Sequence, residues 1–149
     1  MPTLRLPLLV LAALLAGCGA EPAPPEEALR AWLAQAEQAA EARDLDALLE
    51  LVSDDYSDAR GYDRDDVARR LRLLFLRQKS VGLLVDVDEL SVFRDSAAEV
   101  LLTVAMAATN DALLGFSADA WRFEFELRRE GGDWRLLAAR YGRLGEDLQ

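Results

Sequence analysis

The chain has 149 residues, 52% hydrophobic and 30% charged, which is enough for one domain with its own core and too short for two. With no histidine and a single cysteine it has no imidazole base or imidazole metal ligand and closes no internal disulfide, which excludes Ser-His-Asp and Cys-His catalysis and most zinc chemistry. A net charge of −10 argues against nucleic acid as a partner, because an acidic surface repels a phosphate backbone.

Met1 to Arg5 supplies a short positive start, and Leu6 to Ala16 an apolar run interrupted only by Pro7. That run is about half of the roughly 20 residues a spanning helix needs and suits the core of a signal peptide. Leu15-Ala16-Gly17-Cys18 then resembles the bacterial lipobox. The resemblance implies cleavage before Cys18 and acylation of its sulfur with palmitate-type chains; an ordinary secretory signal that leaves a free cysteine is the alternative. Residues 1–17 are therefore expected to be a lipoprotein signal peptide, and residues 18–25 a lipidated cysteine with a proline-rich tether. One acyl chain binds a bilayer marginally, but several together anchor stably, so the membrane contact runs through Cys18. Gly19 stands where the enterobacterial inner-membrane retention signal carries Asp, and by that resemblance the outer membrane, facing the periplasm, is the expected location. Three prolines between Gly19 and Pro25 favour extended geometry, and at about 3.1 Å per residue the tether reaches roughly 20 Å.

Pro25 with Glu26 and Glu27 opens a helix in which Leu29, Trp32, Leu33, Ala36 and Ala40 recur at helical spacing. Asp44 caps a second, predicted over Leu45 to Val52. The third starts after Gly61, with Asp63 as N-cap and Asp66 three residues on, and runs to about Lys79. From Val81 the period changes to two. Val81, Leu83, Val85 and Val87 alternate, and a break at Asp88-Glu89 before Leu90 and Val92 predicts one long strand with a bulge. Arg94-Asp95-Ser96 turns the chain into Ala98, Val100, Leu102, Val104 and Met106. "WRFEFELRR" puts Trp121, Phe123, Phe125 and Leu127 on one side and Arg122, Glu124, Glu126 and Arg128 on the other. Gly131-Gly132-Asp133 then leads into Trp134, Leu136 and Ala138.

Helices followed by consecutive antiparallel strands is an α+β order. Here the chain resembles the nuclear transport factor 2-like superfamily, which includes SnoaL-like polyketide cyclases, ketosteroid isomerases and scytalone dehydratase. The matching features are the amphipathic first helix, a short second one ending in "SDDYSD", a third helix, a bulged strand, and the hairpin from Trp121 to Leu136. They cover about Glu26 to Arg143. The resemblance implies three N-terminal helices packed on a curved antiparallel sheet, a cone-like barrel, over residues 26–149. That fold hosts enzymes and non-enzymes alike.

Six aspartates crowd Ser53 to Asp66. In enzymes of the superfamily a pocket-facing acid or tyrosine near this region acts in proton transfer, which makes Tyr56, Asp58 and Tyr62 the catalytic candidates. Capping and turn formation is the structural alternative, and a scytalone dehydratase-like site needs histidine, which is absent. A calcium loop would need D-x-D-x-D-G, and Gly61 sits at the wrong offset, so neither metal nor cofactor is expected. Arg69, Arg70, Arg72, Arg77 and Lys79 form a basic stripe suited to an anionic headgroup or acidic partner, unless Asp65–Arg69 and Asp66–Arg70 pairs neutralise it. Leu113, Leu114 and Phe116 lie in a long connection that either covers or plugs the mouth of the cone. An open pocket would be lined by Leu102, Val104, Leu113, Leu114, Phe116, Trp121 and Phe123. The expected function is a lipid-anchored, non-catalytic binding or accessory domain of the envelope. The alternatives are a carrier of an apolar small molecule or lipid, and an isomerase- or cyclase-like enzyme using Tyr56 or Asp58. Arg122, Glu124, Glu126 and Arg128 on the exposed sheet face would line any homodimer interface.

Overall fold

A computed structural model describes residues 22–109 and 116–149. Helix α1 spans Pro25–Glu41, α2 Leu45–Glu50 and α3 Arg64–Arg77; the strands are β1 Ser80–Phe93, β2 Ala97–Thr109, β3 Phe116–Glu130 and β4 Asp133–Arg143. The helix starts follow local chemistry. Pro25 occupies the first turn of α1, Asp44 accepts the amide of Ala47 at 3.0 Å, and Asp63 and Asp66 exchange side-chain and backbone bonds in a capping box at α3. No helix among the described residues is long and apolar enough to cross a membrane.

The four strands form one antiparallel meander, β1-β2-β3-β4, curved beneath the helices. Its first hairpin turns through the three residues Arg94, Asp95 and Ser96, the first two at positive φ, and its last through the two residues Gly131 and Gly132, both at positive φ. The β1 register shifts between Val87 and Glu89, where the sequence breaks its alternation. Leu29, Trp32 and Leu33 of α1 pack on Val100, Leu102, Leu127 and Trp134, and this is the main core.

Two expectations are corrected. Helix α2 ends at Glu50, because Val52 leaves it to bridge Leu136 in parallel fashion. The inward alternation Trp134, Leu136, Ala138 also breaks. Leu127 pairs with Leu136 and Glu126 with Ala138, so Leu137 is an extra residue in β4, and the inward positions beyond it are Ala139 and Tyr141. The segment after α2 runs along this same stretch of β4. Ser53 N–H donates to Leu136 O at 2.9 Å, Leu136 N–H to Leu51 O at 2.9 Å, and Ser57 N–H to Leu137 O at 3.1 Å. Residues 51–57 are thereby held against the edge strand.

Candidate functional site

Between α3, the 51–62 segment and the β3–β4 end of the sheet lies a cavity of about 290 Å³. Helix α1 contributes Trp32 and Ala36, α3 contributes Val67, Arg70 and Leu71, and the sheet contributes Phe123, Phe125, Leu136, Ala139 and Tyr141. Aromatic contacts fix the floor: Phe123 stacks on Tyr141 at 5.7 Å between centroids, Phe123 meets Phe125 at 5.5 Å, and Trp32 meets Phe125 edge-on at 6.1 Å. The wall is therefore rigid and largely apolar.

The segment after α2 supplies the polar groups. Backbone bonding to β4 turns Tyr56 inward, 4% exposed, where its hydroxyl donates to Asp58 Oδ2 at 3.4 Å. Burial pushes the Tyr56 phenol well above its ordinary value, and the neighbouring Asp58 charge pushes the same way. Tyr56 thus stays protonated and serves as a hydrogen-bond donor. Asp58 Oδ1 accepts the amides of Arg60 at 2.9 Å and Tyr62 at 3.0 Å, closing a tight turn in which Gly61 takes φ +77°. One carboxylate oxygen shapes the loop; the other faces Tyr56. Tyr62 also lines the cavity and lies under the Arg70 guanidinium at 3.8 Å, while Arg60 lies over Tyr141 at 4.3 Å.

All three catalytic candidates, Tyr56, Asp58 and Tyr62, are therefore on the cavity wall. Of the expected ligand-lining residues whose side chains are described, Leu102, Val104, Trp121 and Phe123, only Phe123 is. Leu102 is in the main core and Val104 packs against it, in the cluster that α1 completes with Leu29, Trp32 and Leu33. Trp121 stands beside Tyr141 at 6.3 Å and Arg143 at 5.6 Å, outside the cavity. Leu113, Leu114, the side chain of Phe116 and the lipidation residue Cys18 lie outside the described residues. Sequence reading missed Trp32, Val67, Arg70, Phe125 and Tyr141. The first two carry the same helical signal as core positions, and Tyr141 is hidden behind the Leu137 bulge.

The remaining acids are dispersed. Asp54 pairs with Arg64 at 3.5 Å, Asp55 with Arg128 at 2.8 Å, and Asp63 and Asp66 cap α3. The expected pairing on α3 is corrected too: Arg69 pairs with Asp66, three residues back, and Arg70 turns to Tyr62 instead. On the outer sheet face Arg122 pairs with Asp88 at 3.6 Å and Glu124 with Arg140, so these charges are met within the chain.

No protein-family model matches the sequence, and no curated protein matches it. Solved structures resemble the fold closely. A protein assigned as a dehydratase of the nuclear transport factor 2-like family from Streptomyces avermitilis aligns at 18% identity and TM-score 0.71, over 85% of this chain and 100% of its own. A ketosteroid isomerase-like protein from Erwinia carotovora atroseptica aligns at 20% identity and TM-score 0.63, over 86% and 99%. A nuclear transport factor 2-like superfamily protein from Salmonella enterica serovar Typhimurium aligns at 13% identity and TM-score 0.68, over 83% and 96%. At such identities the likeness speaks to fold.

Proposed function

On this nuclear transport factor 2-like fold, we propose that the protein binds an apolar small molecule of about two fused rings in the cavity under α3, oriented by Tyr56 and Asp58. The supporting observation is the cavity of about 290 Å³, walled by aromatic and aliphatic side chains. A cavity of about 150 Å³ accommodates benzene, so roughly twice that volume suits a bicyclic ligand. A hydroxyl or N–H of the ligand takes the place of the Tyr56 phenol on Asp58 Oδ2, and the single O–H of Tyr56 turns from Asp58 to a ligand oxygen. The lipobox resemblance supports the setting: a binding or accessory domain anchored through Cys18, at the outer membrane facing the periplasm. An apolar ligand partitions into the bilayer, and a tether of roughly 20 Å holds the cavity near that reservoir.

The test is calorimetric titration of the full chain in lipid nanodiscs with 2-naphthol, with empty nanodiscs as the partition control. Saturable one-to-one binding is expected, and Val67→Phe, which fills the cavity from α3, should abolish it without unfolding the domain. No binding to the wild type, or equal binding to the variant, would overturn the proposal.

A second reading, an isomerase- or cyclase-like enzyme, is favoured by one observation: a carboxylate and a fixed phenol donor share an apolar cavity. Asp58 would take a proton from a bound carbon acid while Tyr56 hydrogen-bonds the oxygen on which charge develops. If neither Tyr56→Phe nor Asp58→Asn alters turnover of an identified substrate, that reading fails.

A further inference from the structure

Among the described residues the cavity has two charged lining groups, and they stand in opposite situations. Asp58 is engaged on both oxygens, by the amides of Arg60 and Tyr62 on one and by Tyr56 on the other. Arg70 rests on the face of Tyr62, and no ion pair or hydrogen bond joins it to any other described residue. Asp66, at the i−4 position that would neutralise it, is occupied: one oxygen accepts the Asp63 amide and the other pairs with Arg69. Among the described residues the fold thus leaves this lining guanidinium without a counter-charge, in a chain of net charge −10. Arg70 is also exposed, so it marks where the cavity meets solvent.

A guanidinium lying on a ring has its face covered and its N–H edge free, and that edge matches the two oxygens of a planar carboxylate. We infer that the ligand is an amphipathic anion, its rings inside the cavity and its carboxylate at the mouth on Arg70. This deepens the binding proposal and rests on it. The overall negative charge does not oppose it at the site, because charges beyond a Debye length of about 8 Å are largely screened at physiological salt while Arg70 is in contact. Because the mouth is solvated, the gain is modest, about fivefold in affinity.

The experiment compares 2-naphthol with 6-hydroxy-2-naphthoate, which differ only by the carboxylate, on the full chain in nanodiscs by calorimetry. The acid should bind the wild type about fivefold tighter than naphthol, and that preference should shrink as salt is raised. Arg70→Gln should reduce the ratio of the two affinities to about one, and Arg70→Lys, a charge without the fork, should restore it only in part. Equal affinities in the wild type, or a preference that survives Arg70→Gln, would overturn the anion assignment while leaving the cavity reading intact. Failure of both probes to bind removes the cavity reading and this inference with it.

Discussion

Helices α1 and α3 face the same side of the protein and use it differently. Helix α1 buries Leu29, Trp32, Leu33 and Ala39, and the first three interdigitate with the sheet. Helix α3 buries no residue fully and reaches the second cluster, Val52, Tyr56 and Ala139, only through Val67. Both helices are amphipathic in sequence, so periodicity alone does not separate them. The difference lies in what stands opposite. The segment 51–62, pinned to β4 through residues 51–57, sets Tyr56 and Tyr62 on the wall between α3 and the sheet, and the gap beside them is the cavity. One half of the domain is therefore built for stability and the other leaves room for a ligand.

The largest effect should come from breaking the filled half. Leu29→Ala removes a side chain that is 0% exposed and should cost about 3 kcal/mol, read as a lowered denaturation midpoint with unchanged m-value. Val67→Ala, facing existing empty space, should cost less than about 1 kcal/mol by the same measurement. Similar costs at the two positions would erase the distinction between a filled α1 side and an open α3 side.

A smaller effect is expected where the two halves are joined. Ser53, 1% exposed, donates to Glu130 at 2.7 Å and accepts the Asp55 amide at 3.1 Å, while Arg128 holds both Asp55 and Glu130. This clamp ties the 51–62 segment to the last hairpin. Ser53→Ala should cost about 1 kcal/mol. The Ser53 hydrogen bond first, and Arg128 second, hold the Glu130 carboxyl below its ordinary 4.5. A depressed carboxyl contributes stability that is complete above the unfolded value and disappears as pH falls through the folded one. Stability should therefore decline on acidification below about 4.5, and the decline attributable to Glu130 should be shallower in Ser53→Ala when denaturation midpoints are compared across pH.

Most of the fold was legible because its signals are local. Asp63 and Asp66 announce α3 at the right residues, Asp44 announces α2, and the charged pair Asp88-Glu89 marks the first bulge by interrupting an apolar alternation. The second bulge left no such mark. Leu136, Leu137, Ala138 and Ala139 are all apolar, so a slipped register reads the same as a regular one, and nothing in the sequence turns Tyr141 inward. The cavity was half legible. Crowded acids point to Tyr56, Asp58 and Tyr62, yet the alternation also points to Leu102 and Val104, which are core, because sequence gives a strand's inward face and not what covers it. The Arg70 position illustrates the same limit: Asp66 has two arginines within reach, and only three-dimensional geometry assigns it to Arg69.

The smallest expected effect on stability falls in the open half. Tyr56→Phe removes one hydroxyl whose bond to Asp58 is long, 3.4 Å, so the cost should stay below about 1 kcal/mol. Its spectroscopic consequence is sharper. Burial and the Asp58 charge keep the phenol protonated, so the phenolate absorbance of wild type and Tyr56→Phe should coincide at about pH 10, where an ordinary tyrosine is half ionised. An excess of phenolate in the wild type at that pH would place Tyr56 in a wet, open environment. It would then be free to lose its proton, and the cavity would lose the fixed donor on which both readings of its chemistry depend.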